Sequence, residues 1–383
     1  MPIYKMKGSK DGKQKYRVRI NYQDASGNNR QIDRVAYGSA EAKQLERELN
    51  YKIKNETPAR RMTLNDLYEE YKKSKINEVR ESSYKKTTAI LDYHVIPMLG
   101  DTPLAKLNKP LFAKWKNVME QKTIIKNDGS VSKLSITTKQ NVYGEFRALL
   151  NYGVKLDYIS KNYLIDIGNF KSTIETKREM SFYTADEYKL YANSALEYAE
   201  THPNLNGWDY YVFFSIAFYT GLRKGEIHAL KWSDIDGEYL NVTRSITQKL
   251  KGEDRETAPK NKSSIRTLQM PIPLLKILDE HKKRWSVYKE FNDNFRICGG
   301  TRPLRDSSIA KVNERIAKAA GLKTIRIHDF RHSHASLLAN EGINIQEVAR
   351  RLGHSDVTMT WNTYSHLYPR EEERAVNILN KII

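Results

Sequence analysis

The sequence predicts a multidomain α+β protein: a small β-sheet braced by a helix, then a helical domain, then a mostly helical domain with its own small β-sheet. Three observations predict it. The 383 residues exceed what one hydrophobic core serves well, so two or three domains are expected. The apolar period is two near the start and helical over most of the remainder. A polar, aperiodic stretch at 169–181 parts two long periodic regions and reads as a linker.

The first unit is expected over residues 1–58. Its first twenty residues carry Lys5, Lys7, Lys10, Lys13, Lys15, Arg17 and Arg19 against a single acid, Asp11. From 15 to 22 the chain alternates, with Lys15, Arg17, Arg19 and Asn21 on one face and Tyr16, Val18, Ile20 and Tyr22 on the other. That is a half-buried strand. Asp-Ala-Ser-Gly-Asn-Asn from Asp24 is turn chemistry, and Arg30 to Tyr37 forms a second strand. Ser39 is placed to cap a helix lined by Ala42, Leu45, Leu49 and Ile53. The outer face of the sheet is basic. An ordinary solvated face would share that feature, and the clustering favours contact with DNA phosphates through Lys13, Lys15, Arg17 and Arg19.

Residues 59–168 read as helical. Thr63-Leu-Asn-Asp66 opens a helix carrying Leu64, Leu67, Tyr68 and Tyr71 inward. A second helix starts near Ser82-Ser83 and ends before His94, ahead of Pro97. Pro110 suits the first turn of a third. Lys122 to Ser132, with Asp128-Gly129, is a hairpin or loop, and a long helix from Ser135 turns Val142, Phe146, Leu149, Leu150 and Val154 inward. A helical clamp on a duplex and a plain helical domain both fit this segment.

The last unit, 182–383, opens at the capping box Thr184-Ala-Asp-Glu187. Strand-like runs interrupt its helices at Glu238–Ile246 and Ile265–Pro271, and Tyr210 to Tyr219 suits a buried helix.

Bulk composition narrows the function. Sixty-five Lys and Arg against 46 Asp and Glu give a net charge of +19, which favours a polyanionic partner, nucleic acid before membrane surface. No run of about 18 apolar residues is present and the start lacks a signal-peptide core, so a cytoplasmic protein is expected. With Cys298 alone, neither an internal disulfide nor a thiolate-rich zinc site can form.

The chemistry concentrates late in the chain. His328-Asp-Phe-Arg331, Leu-Gly-His354 and Thr-Tyr364-Ser-His follow in order, with Thr-Gly-Leu-Arg223-Lys-Gly-Glu226 far upstream. Arginines can fork onto phosphate oxygens, histidines can move protons, and a tyrosine can form a covalent phosphoester. His328 and Arg331 stand three apart at the start of a helix that Gly342 ends, so both can face one phosphate. Asn344-Ile-Gln-Glu347 is a capping box for the next helix, which stops at Gly353 and leaves His354 just beyond it. Tyr364 lies in a further helix closed by Pro369. Blander readings exist: any lone tyrosine is more often core, and His332 and His334 invite a metal reading with His328. No carboxylate accompanies them in a His-Glu-x-x-His pattern, and His334 falls on an apolar stripe with Phe330, Leu337 and Leu338.

In order and spacing these motifs resemble the tyrosine recombinases, the phage-integrase family of site-specific DNA recombinases. Within it the chain is most similar to three-domain integrases of Gram-positive phages and conjugative transposons. The resemblance implies an arm-type DNA-binding domain (1–58), a helical, SAM-like core-binding domain (59–168), a linker (169–181) and a catalytic domain (182–383). It implies Arg223, Lys260, His328, Arg331, His354 and Tyr364 as catalytic residues, with Glu226 orienting Arg223 or a histidine. The family's lysine lies in a β-hairpin turn, and Pro259-Lys260-Asn-Lys262 has that character. Lys262 is the alternative, because hairpin length varies and Asn261 stands where many relatives have Thr.

By the same resemblance, Tyr364 attacks the scissile phosphate and retains the 3′-phosphoryl group. Arg223, Arg331 and His354 hold its oxygens, His328 is the base for the tyrosine, and Lys260 protonates the leaving 5′-oxygen. Implied partners are double-stranded DNA at core and arm attachment sites, three further copies in a DNA-bound tetramer, an excisionase and a DNA-bending protein. After Pro369, a short helix with Ala375, Ile378, Leu379 and Ile382 on one side is expected to dock on a neighbouring subunit. No cofactor, metal or ATP is expected. The alternatives are a type IB topoisomerase-like relaxing enzyme, a regulator that has lost catalysis, and a metal-dependent nuclease.

Overall fold

The computed structural model describes residues 3–23, 29–125, 129–171, 180–203, 206–248, 255–257 and 262–368, together with 376, 379 and 380. For 52–61, 255 and 262 only the backbone is described. The chain divides into two compact units, Met1–Thr176 and Lys177–Ile383.

The first unit opens with three antiparallel strands in the order β1 (Ile3–Lys10), β2 (Lys13–Gln23) and β3 (Asn29–Tyr37). The register sets Val18 opposite Arg34 and Ile20 opposite Ile32. Val18, Ile20 and Ala36 bury against Ala42 of α1 (Ser39–Arg61). Strand β1 escapes the alternation rule because its register shifts between Lys5 and Ser9, around Gly8 at φ 109°. Gly38, at φ 105°, holds the cap position of α1 that the sequence suggested for Ser39, and Ser39 is already helical. Position 58, the expected end of this module, lies inside α1. On the basic face Asp33 bridges Arg17 (2.9 Å) and Arg19 (3.1 Å), so two of the four basic side chains singled out there are partly neutralised.

The helical part follows as α2 (Leu64–Glu78), α3 (Glu81–His94), α4 (Ile96–Leu99), α5 (Lys109–Gln121), the hairpin β4 (Thr123–Ile125) and β5 (Val131–Lys133), α6 (Ile136–Lys155) and α7 (Leu164–Ile167). Thr63 and Asp66 cap α2 reciprocally, and its buried face is Leu64, Leu67, Tyr68 and Tyr71. Asn108 and Ser135 cap α5 and α6. Helix α3 keeps His94 as its last residue, and Pro97 sits in the first turn of α4, where its missing N–H is harmless. Trp115 forms the centre of this core, edge-on to Phe146 at 5.0 Å and to Phe170 at 6.1 Å between centroids. Lys116 Nζ donates to the carbonyls of Gly168 and Asn169. Residues 169 and 170, expected to begin the linker, therefore pack on this core, and 172–179 lie outside the described residues.

The second unit contains α8 (Ala185–Thr201), α9 (Gly207–Thr220), α10 (Lys224–Ala229), β6 (Ile235–Asp236), β7 (Tyr239–Val242), β8 (Ser245–Thr247), β9 (Arg255–Thr257), β10 (Arg266–Gln269), α11 (Ile272–Ser286), α12 (Asp306–Ala319), α13 (Asp329–Asn340), α14 (Ile345–Leu352) and α15 (Val357–Tyr364). Thr184 and Glu187 cap α8 reciprocally. Helix α9 is buried nearly all round, as its continuous apolar run predicts. Phe330 of α13 is fully buried against Tyr191 of α8 (5.2 Å) and Phe214 of α9 (5.3 Å), which anchors the helix carrying His328 and Arg331. Strands β10, β7 and β6 form one sheet, with Arg266 opposite Val242 and Leu268 opposite Leu240. Asn344 caps α14 through the Gln346 N–H, but the expected capping box is absent because Glu347 pairs with Arg350 instead. The expected tail helix falls largely outside the described residues. No helix among the described residues is long and apolar enough to cross a membrane.

Candidate active site

The site begins where α9 ends. Gly221 takes the left-handed conformation at φ 65°, and a Cβ there would lie 2.7 Å from His334 Cδ2. Only glycine turns the chain here, and its carbonyl accepts from Arg331 Nη1 at 2.8 Å. Arg223 follows as the residue preceding α10. Glu226, one turn on, accepts from the Arg223 backbone N–H (3.0 Å) and from its Nη1 (3.0 Å). Arg223 Nη2 reaches across to the Gly353 carbonyl at 3.2 Å.

Glu226 is almost fully buried and has a second partner that sequence reasoning missed. Arg266 Nη2 donates to its Oε2 at 3.0 Å, while Arg266 Nε donates to the Arg351 carbonyl at 2.8 Å. The available signal was an arginine on the inward face of an alternating strand, level with Leu268. Burial works against the Glu226 charge, yet Arg266 and Arg223 outweigh it and hold the carboxyl below its ordinary range.

Arg331 is also buried, and desolvation and the nearby Arg223 guanidinium both disfavour its charge. It stays protonated all the same. Two guanidiniums, those of Arg223 and Arg266, thus bond one carboxylate, and the charge of Arg331 lies within its electrostatic reach. Among the described residues Glu226 balances only part of this positive charge, an arrangement suited to an anion.

His354 follows Gly353, whose φ of 66° ends α14; a Cβ on Gly353 would meet Arg266 Nη1 at 2.8 Å. His354 Nε2 lies 2.8 Å from Arg331 Nη2, and its Nδ1 lies 2.8 Å from Thr360 Oγ1. A guanidinium only donates, so Nε2 accepts and the ring proton sits on Nδ1. Burial, then Arg331 and Arg223, push its pKa down to about 4. The neutral ring therefore orients Arg331. The expected donation from His354 to phosphate needs Nε2 released and protonated.

Tyr364 ends α15, buried, with its hydroxyl 2.5 Å from His332 Nδ1. Burial raises its pKa to about 12, against a lowering pull from Arg331. His332 is the second functional residue that sequence reasoning missed, having been weighed only as a metal ligand. His328, which precedes α13 at the open side of the site, meets the His332 ring edge-on at 5.1 Å. Desolvation of its ring, then His332 and Arg331, bring its pKa to about 4, although the residue as a whole is exposed. The tyrosine hydrogen bond is thus made by His332, where His328 was expected. His334 turns away and meets the Phe218 carbonyl at 2.9 Å through Nδ1. Among the described residues no cluster of three or more His, Cys, Asp or Glu is arranged to hold a metal ion.

Of the residues singled out in the sequence, Arg223, Glu226, Arg331 and His354 form one hydrogen-bonded group with the Gly221 and Gly353 turns. His328 and Tyr364 both meet His332, the neighbour of Arg331 on α13. Lys260 and the side chain of Lys262 lie outside the described residues, between β9 and β10. Lys13, Lys15, Arg17 and Arg19 belong to β2 of the first unit.

The chain is similar to known proteins over most of its length. Residues 187–371 match the phage integrase family, and residues 63–119 match the phage integrase N-terminal SAM-like domain. The ICEBs1 integrase of Bacillus subtilis is 25% identical over 99% of this chain and 100% of its own length. The solved structure of the Tn1549 transposon integrase, in complex with a circular intermediate DNA, superposes with a TM-score of 0.64 at 20% identity, covering 84% of this chain and 100% of that one. A lambda integrase tetramer bound to a Holliday junction gives 0.56 at 18% identity over 97% of each chain. Taken with the Arg223–Arg331–His354–Tyr364 constellation, the two family matches and the full-length relative mean that the chain belongs to the phage integrase family of tyrosine recombinases, resembling the integrases of Gram-positive mobile elements.

Proposed function

We infer that this protein is a site-specific DNA recombinase that integrates and excises a mobile element by cutting and rejoining strands through a 3′-phosphotyrosine. The observation that carries the reading is the placing of a buried tyrosine hydroxyl within the influence of a guanidinium cluster whose positive charge Glu226 balances only in part among the described residues. A phosphodiester between Arg223 and Arg331 supplies the missing anion and brings phosphorus towards Tyr364. As Tyr364 attacks in line, charge grows on the two non-bridging oxygens, and the forked donors of Arg223 and Arg331 stabilise it. Glu226 and Arg266 keep Arg223 in place, and His354 does the same for Arg331. Lys260 is assigned the proton given to the leaving 5′-oxygen. The phosphotyrosine conserves the energy of the bond, so the reaction needs neither ATP nor metal.

The partners are double-stranded DNA at core and arm sites and further copies of the chain, four on a junction; the tetrameric lambda integrase complex supports that assembly. An excisionase and a DNA-bending protein supply direction, and the protein works in the bacterial cytoplasm. The residues for arm DNA are Lys13, Lys15, Arg17 and Arg19.

The test is incubation with a nicked duplex carrying the element's own end sequence, in excess EDTA. A covalent adduct through Tyr364 is expected, absent in Tyr364→Phe. Recombinant joints between two specific sites distinguish this reaction from relaxation by a topoisomerase. An undiminished adduct in Tyr364→Phe, or cleavage abolished by EDTA, overturns the reading.

A further inference from the structure

Tyr364 Oη and His332 Nδ1 are 2.5 Å apart, with ring centroids at 5.8 Å. Resting on the reading that Tyr364 is the nucleophile, we propose that His332, and not His328, is the base that takes the phenolic proton. The phenol needs one. Burial holds its pKa near 12, so at neutral pH the hydroxyl is protonated and a poor nucleophile. His332 is half-buried, and desolvation lowers its pKa; Arg331 and Arg326 add to this and Asp329 opposes it. At pH 7 the ring is therefore neutral. In the tautomer with its proton on Nε2, the Nδ1 lone pair faces Tyr364 Oη within hydrogen-bond reach.

The groups facing His332 are His328, Asp329, Arg331 and Arg326 from α13 and the turn before it, and Tyr364 from α15. His328 lies farther out: its described contact is with the His332 ring, and the charges that act on it include Arg331 and Arg223, the phosphate side of the site. Consecutive residues of α13 thus divide the work. Arg331 turns to Gly221 and His354, while His332 turns to the nucleophile. One rigid helix, anchored by Phe330, sets the distance between phosphate clamp and base.

The step balances. The Tyr364 O–H bond breaks and its proton passes to His332 Nδ1. The Oη electron pair forms the new bond to phosphorus, and the bond from phosphorus to the 5′-oxygen breaks. That oxygen leaves with the electron pair and takes the proton assigned to Lys260. In religation the 5′-hydroxyl attacks phosphorus and gives its proton back to the position assigned to Lys260, the bond from phosphorus to Oη breaks, and His332 returns its proton to the departing phenolate.

The experiment uses the full chain and a nicked duplex with the element's end sequence, made with an ordinary scissile phosphate or with a 5′-bridging phosphorothiolate. Asparagine places an acceptor near the Nδ1 position without a basic nitrogen, so His332→Asn keeps the hydrogen bond and loses the base. Adduct formation is expected to fall ~10²-fold in His332→Asn and in His332→Ala, with half-site binding unchanged. Both should stay slow on the phosphorothiolate, because a thiolate leaves without a proton while the tyrosine still needs a base. Wild-type cleavage by His332→Asn would make His332 a positioning residue only. Recovery on the phosphorothiolate would place it at the leaving group. Either result overturns the proposal. One measurement needs no variant: nitrogen-15 NMR of histidine-labelled protein should find Nδ1 of His332 bare at pH 7, and a proton there overturns the proposal. A normal adduct in Tyr364→Phe would instead sink the nucleophile assignment, which is read separately.

Discussion

Glu226 and Arg266 form an ion pair at 3.0 Å, buried on both sides, between helix α10 and strand β10. Its members hold two parts of the site: Glu226 carries Arg223, and Arg266 ties β10 to the Arg351 carbonyl at the end of α14. Neither needs to touch DNA. Together they decide where Arg223 points.

Glu226→Gln leaves two guanidiniums without their carboxylate. Removing one partner of a buried pair typically destabilises by about 3–5 kcal/mol, so urea unfolding at pH 7 should shift markedly. The pH dependence has a definite sign. The folded carboxyl titrates below its ordinary value of 4.5, so its contribution is complete above that pH and is lost as pH falls towards the folded value. The gap between wild type and Glu226→Gln should therefore narrow below pH 4.5. A constant gap from pH 7 to 3 would mean that the pair does not set stability.

Arg223→Lys keeps the charge but loses the planar fork that spans Glu226 and the Gly353 carbonyl. Single-turnover cleavage should fall at least ~10²-fold, the scale of one lost transition-state donor. Half-site affinity should change little, since the charge is kept and Arg223 is one of 65 Lys and Arg residues in the chain. Near-normal cleavage would reduce Arg223 to a structural role.

Gly353→Ala asks an alanine to adopt φ 66° and sets its Cβ 2.8 Å from Arg266 Nη1. The strain is about 1–3 kcal/mol, and the displaced guanidinium should loosen both Glu226 and Arg223. Thermal stability and cleavage rate should drop together. An unchanged cleavage rate would show that the Arg266 position is not critical.

On the first unit, Asp33 partly neutralises Arg17 and Arg19. Asp33→Asn should therefore tighten binding to arm DNA at low salt and steepen its salt dependence, each further neutralised phosphate adding about 0.9 to the slope. Lys13→Ala with Lys15→Ala should do the reverse and leave cleavage of an isolated core site unchanged. Titration by mobility shift at two salt concentrations measures both; equal slopes in all proteins would assign this face to solvent.

Much of this architecture could be read from local pattern. Thr63 with Asp66 and Thr184 with Glu187 are caps formed within one turn, so the sequence alone places the starts of α2 and α8. Strand β2 and the wholly apolar helix α9 were legible for the same reason, since period and burial are written in neighbouring residues. Strand β1 was not, because a bulge at Gly8 breaks the alternation. Motif order likewise pointed to Arg223, His328, Arg331, His354 and Tyr364.

What local pattern could not decide is which of these groups bond to one another. Arg266 reaches Glu226 only because β10 pairs with β7 and lies beside α10. The sequence could say that His328 and His332 share a helix face, but not which of them the tyrosine would meet. That choice depends on how α15 packs against α13, and contacts between distant segments are set by the packed core. By itself the sequence determined the family, most of the elements, and the motifs that carry Arg223, Arg331, His354 and Tyr364. The tertiary structure alone gave Tyr364 to His332, because a hydrogen bond needs a donor and an acceptor about 3 Å apart, and only folding fixes a distance between residues 32 positions apart.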